Sequence, residues 1–86
     1  MTLEKSGILT WNEENINNAP NKVGVYIMRS SSADGFVVGG DATGNLKEAL
    51  LKAYKENIAN VNFFEWQETA TLEEAQKLYE RIKHNG

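Results

Sequence analysis

The chain of 86 residues has no cysteine, one proline and one histidine. Lack of cysteine excludes disulfides, thiolate metal sites and thiol nucleophiles, and a lone histidine cannot form a zinc-binding His cluster. Long apolar runs are missing too. Ala49 to Leu51 and Phe36 to Val38 are far shorter than the roughly 18–20 residues that cross a bilayer, and Met1 to Gly7 lacks the apolar stretch of a signal peptide. Nor is there an excess of positive charge: 9 Lys and Arg stand against 12 Asp and Glu, for a net charge of −3. Nucleic-acid binding draws most of its affinity from clustered Lys and Arg that neutralise phosphates, so this balance disfavours it. The expectation is a soluble, cytoplasmic protein with no membrane partner.

Hydrophobic residues make up 41% of the chain and charged residues 24%, values of an ordinary globular domain rather than a disordered tail. The length predicts a single domain over residues 1–86, with its core over about 20–84 and a short N-terminal helical segment over 10–17. So small a domain has little core, so two Trp, three Phe and three Tyr must supply much of the burial.

Thr10-Trp11-Asn12-Glu13 matches a capping box and predicts the first short helix, ended by the turn formers around Pro20. Val23, Val25 and Ile27 alternate with Gly24, Tyr26 and Met28, the period-two pattern of a strand. Ser-rich Arg29 to Gly35 predicts a hairpin connection to a second, antiparallel strand, Phe36-Val37-Val38. Gly39 to Gly44 then reads as a flexible loop. Asn45, with Glu48 three residues on, caps a helix whose apolar stripe is Leu46, Leu50, Ala53, Tyr54 and Ile58. Val61 to Trp66 predicts a third strand. Thr71-Leu72-Glu73-Glu74 caps a last helix with the stripe Leu72, Ala75, Leu78, Tyr79 and Ile82. The fold expected is α+β: a small three-stranded antiparallel sheet flanked by helices, in the order α-β-β-α-β-α.

Gly24-Val25-Tyr26 after a proline turn, a second strand closing on Val38-Gly39, and Asn45-Leu46 opening a helix resemble the GIY-YIG nuclease domain. The resemblance spans Pro20 to Ile82, and its motifs are short. It implies the same small sheet flanked by helices and, in active members, a cleft with two tyrosines, an arginine and a metal-binding glutamate. Tyr26 matches the first tyrosine. The second falls on Val37 or Val38, which have no hydroxyl. The arginine falls on Ala49. The glutamate falls on Tyr79, with Glu80 one residue off and turned by about 100° around the helix. The resemblance therefore implies a degenerate, non-catalytic member of the fold with no metal and no cofactor.

The function expected is a binding or assembly module that holds a protein partner, or a second copy of itself, through the former cleft or an open sheet edge. Two alternatives stand beside it. One is a divalent-metal-dependent DNA endonuclease with a rearranged site of Tyr26, Glu80 and His84, for which Mg2+ would be the cofactor. The other is weak nucleic-acid binding through Lys47, Lys52 and Lys55. Gly39, Gly40, Asn45 and Trp66 are further binding candidates: the glycines and Asn45 as a loop leading into a helix N-terminus, Trp66 as an exposed aromatic. Each residue also has a plainer role. Tyr26 can be a strand tyrosine under a helix, His84 a complement to the helix dipole, and Glu73 and Glu74 favourable charges in a first helical turn.

Overall fold

The computed structural model describes residues 3–31 and 37–85. Its elements run β1 (Leu9–Thr10), α1 (Glu13–Asn17), β2 (Gly24–Arg29), β3 (Val37–Thr43), α2 (Leu46–Lys55), β4 (Phe63–Glu68) and α3 (Leu72–Asn85). The strands form one antiparallel sheet in the order β1-β4-β2-β3. The protein is a small α+β domain, with three helices among the described residues. Among the described residues, no helix is long and apolar enough to cross a membrane.

The expected order is present, but the sheet has four strands, not three. The extra strand, β1, pairs Leu9 with Phe64 and Thr10 with Phe63. Two residues cannot display a period, so pairing rather than pattern makes them a strand. With Thr10 in β1, the first helix starts later than expected. Asn12 is its cap, and its side chain accepts the Asn15 N–H at 2.8 Å. The third expected strand also shifts, from Val61–Trp66 to Phe63–Glu68, although Val61 is buried.

The largest correction concerns Gly39 to Thr43, expected as a flexible loop. These residues continue β3 and pair with β2 as far as Gly24 opposite Thr43. Glycine and aspartate are poor strand formers, but here the ladder to β2 decides. Gly40 is needed where it stands: its φ is +156°, and a side chain there would run into the Tyr26 carbonyl. The antiparallel pairing expected of the first two long strands is present. Phe36 and the centre of their connection, residues 32–35, lie outside the described residues.

The alternation of β2, the central strand, sets the two faces of the sheet. Tyr26 stands opposite Trp66 and Asp41, and Met28 opposite Phe64 and Gly39. This face packs on α1 and α2. Phe64, fully buried, joins Ile16, Ala19 and Leu50, with Trp11, Tyr26, Tyr54 and Trp66 against them. Trp11 meets Phe64 and Tyr54 edge-on, with ring centroids 5.3 Å and 5.6 Å away, the preferred aromatic geometry. The other face of β2, Val25 and Ile27, is buried on the side of α3.

Both long helices begin as their caps predict. The Asn45 side chain accepts the Glu48 N–H at 3.1 Å, and Thr71 Oγ1 accepts the Glu74 N–H at 3.1 Å. In α2 the buried residues are Leu46, Leu50 and Ala53; of the rest of the expected stripe, Tyr54 is half-buried and Ile58 lies beyond the helix, which ends at Lys55.

Candidate functional site

The stripe of α2 seats the helix on the sheet, and its small residues leave a gap beside it. Where Ala49 and Ala53 face β2 and β3, a cleft of about 510 Å³ opens. Tyr26 and Met28 of β2 line it, with Asp41, Ala42 and Thr43 of β3 on one side. On the other side Glu48 and Lys52 of α2 and then Glu56, its C-cap, follow at four-residue intervals, so they share one helical face. Asn45 and Ile58 also line it.

The polar side chains of the lining are the Tyr26 phenol, three carboxylates, the Lys52 amine, the Thr43 hydroxyl and the Asn45 amide. Tyr26 and Asp41 are cross-strand partners, so both side chains belong to the cleft face. The phenol is held above its ordinary pKa, first by burial, then by the charges of Asp41 and Glu56, and by Tyr79. Tyr26 therefore stays protonated in the neutral range and offers an O–H donor. The surroundings oppose its conversion to a phenolate base or nucleophile.

The expected site residues divide. Tyr26, Asn45 and Lys52 come together in the cleft. Glu80 and His84 do not line it; both are exposed on α3, whose Ile82 reaches the opposite face at Val25 and Ile27. Lys47 is half-buried and Lys55 exposed, and neither lines the cleft. Gly39 and Gly40 belong to a strand, so their amides alternate in direction instead of converging as an anion-cradling loop would require. The Asn45 side chain is engaged as the α2 cap. Trp66 is half-buried against the core.

Asp41, Glu48 and Glu56 were not among the expected site residues. Asp41 sits in the stretch that reads as a loop, and the two glutamates on the side of α2 that reads as solvated. The available signal was the spacing of Glu48, Lys52 and Glu56 around the small residues Ala49 and Ala53. Among the described residues, no three His, Asp or Glu side chains are grouped to hold a metal ion.

On the α3 face a second cavity, of about 450 Å³, lies between Val25, Ile27 and Ile82, with Lys5, Glu65 and Gln67 at its border. Glu65 there takes part in an ion pair with Arg29 at 3.3 Å.

No family model, no curated protein and no solved structure matches the chain significantly.

Proposed function

We propose that this domain is a non-catalytic binding module, cytoplasmic and built on a degenerate GIY-YIG-like frame, that holds a protein partner in the Tyr26 cleft by its positive charges. The observation that carries this reading is the charge of the cleft: Asp41, Glu48 and Glu56 stand against Lys52 alone. An acidic cleft with a protonated phenol attracts a lysine or arginine side chain and repels a phosphodiester. The same sign disfavours the nucleic-acid reading, because Lys52 and Lys55 alternate with Glu48 and Glu56 instead of forming a basic stripe. The order β2-β3-α2-β4-α3 and the place of Tyr26 in a cleft support the GIY-YIG-like frame. Ala49 in the cleft wall, where that family carries its arginine, supports loss of phosphate chemistry.

Two measurements test this. Isothermal titration should show saturable binding of a lysine- and arginine-rich peptide and none of its glutamate-substituted counterpart. Asp41→Asn combined with Glu56→Gln should weaken that binding about tenfold, the sum of two exposed charge contacts. Incubation with single-stranded, duplex and branched DNA plus Mg2+ or Mn2+ should leave the DNA intact. Cutting that vanishes in Tyr26→Phe and Glu80→Ala would overturn the reading in favour of the endonuclease.

A further inference from the structure

We propose that the free edge of β3 and the Tyr26 cleft form one docking groove for an extended basic segment of a protein partner. The segment adds as a strand beside β3 and directs lysine or arginine side chains at Asp41 and Glu56. This rests on the binding-module reading and specifies how that partner is held.

The two edges of the sheet are finished differently. The outer edge of β4 is sealed by the chain before α1: Ser6 N–H donates to the Trp66 carbonyl at 2.9 Å, Glu68 N–H to the Glu4 carbonyl at 2.7 Å, and Trp66 N–H to Ser6 Oγ at 2.9 Å. At the other end of the order β3 has no strand beyond it among the described residues. The Ala42 N–H donates to Oδ1 of Asp41 at 2.8 Å, so this amide turns away from β2. In an antiparallel ladder outward and inward residues alternate, which gives the Gly40 amide and carbonyl the same outward direction. Lysine and proline, the usual guards of an open edge, are missing from β3, and Gly39 and Gly40 present no side chain to hold another backbone away.

Asp41 joins the edge to the cleft. Its carboxylate occupies the outward amide of Ala42 while facing the same side as Tyr26. When a strand docks, a partner carbonyl takes that amide, and the freed carboxylate pairs with a basic side chain. The exchange leaves neither polar group unmet. Side chains of an added strand alternate between faces, so residues two apart, about 6.8 Å, point to the cleft side. The segment that fits has basic residues at alternate positions over about five residues, because the bulge opposite Met28 and Arg29 interrupts the edge before Gly39.

The probe is an acetylated, amidated nine-residue peptide of alternating Lys and Thr, used with two derivatives N-methylated on every Lys or on every Thr amide, and with an alternating Glu and Thr peptide. Amide NMR titration reads affinity and place, and hydrogen exchange reads the edge. Expected are saturable shifts at Tyr26, Asp41 and Ala42, and exchange of the Gly40 and Ala42 amides slowed at least tenfold. One methylated derivative should bind and the other fail, and the acidic peptide should not bind. Glu56→Lys, which leaves β3 untouched, and Asp41→Lys should each weaken binding tenfold or more, with circular dichroism confirming the fold. Shifts in the cleft without slowed exchange, and equal binding by both methylated derivatives, would overturn strand addition while the binding-module reading stands. No saturable binding of the basic peptide, or shifts only around Val25 and Ile82, would overturn both.

Discussion

The two faces of the sheet are built to different standards. Toward α1 and α2, Phe64, Ile16 and Leu50 are fully buried and interlock with Trp11, Tyr54 and Trp66. Toward α3, the buried residues are aliphatic and include no aromatic: Val25 and Ile27 from the sheet and Ala75 from the helix. Leu78 and Ile82 are half-buried, and Leu72 is 44% exposed. The hydrophobic effect scales with apolar area removed from water, so the first face holds the fold while the second covers the sheet. The cleft lies on the strong side, where the packed floor positions the Tyr26 ring, while Asp41, Glu48 and Glu56 stand exposed at its rim.

Truncation breaks this contrast most directly. Phe64→Ala should cost about 3–5 kcal/mol in urea denaturation, the range for a large aromatic removed from a packed core, and so threatens the whole stability of so small a domain. On the α3 face the limiting factor is closeness, not lost area. Ala75 is fully buried, and Ala75→Leu should cost about 1–3 kcal/mol by overpacking. If Phe64→Ala costs no more than Ala75→Leu, the first face does not carry the larger share of stability and the contrast fails.

The long helices were legible in the sequence because each has a cap, Asn45 or Thr71, and an apolar stripe, although the stripes are buried only in part: Leu46, Leu50 and Ala53 in α2, and in α3 Ala75 fully, Leu78, Tyr79 and Ile82 halfway and Leu72 not. The strand β2 was legible because six residues suffice to show alternation. β1 was not, since Leu9 and Thr10 become a strand only through Phe63 and Phe64. β3 was half legible. Its valines read as strand, but Gly39, Gly40 and Asp41 owe their extended form to contact with β2, which local preference does not report. The same limit hid the site. Tyr26 was visible on its strand, whereas Asp41 depends on the β3 register, and Glu56 on how far α2 stands from the sheet.

The phenol of Tyr26 tests the tight face by pH. Burial first, then Asp41, Glu56 and Tyr79, raise its pKa above the ordinary value near 10. A group whose folded pKa exceeds its unfolded pKa contributes stability that is complete below the unfolded value and is lost as pH rises through the folded one. Above about pH 10, therefore, the wild type should lose stability that Tyr26→Phe retains, with a slope of at most about 1.4 kcal/mol per pH unit. Solvent at the half-buried ring brings the effect below that limit. Urea denaturation from pH 8 to 11 should show a constant difference between the two proteins at first and then a shift in favour of the variant. Parallel curves would mean that the ring is no more desolvated than in the unfolded chain, and the tight packing inferred around it would be wrong.

The smallest effects should come from the caps, and they sharpen the contrast instead of breaking it. Asn45→Ala and Thr71→Ala each remove one side-chain acceptor from a helix start, worth about 1 kcal/mol by the usual scale. Asn45 is also tied to β3, where Thr43 Oγ1 accepts its N–H at 3.1 Å, and Leu46 beside it is fully buried. The first turn of α2 therefore cannot open without disturbing the core, and Asn45→Ala should lower global stability by the full amount, with Asn45→Asp restoring it. Thr71 stands before exposed Leu72, so the first turn of α3 can fray while the sheet stays intact. Thr71→Ala should then appear as faster amide exchange at Glu73 and Glu74, with a smaller loss in global unfolding than Asn45→Ala. An equal global loss from both would show that α3 unfolds only with the rest of the domain, and would place its start on the same footing as that of α2.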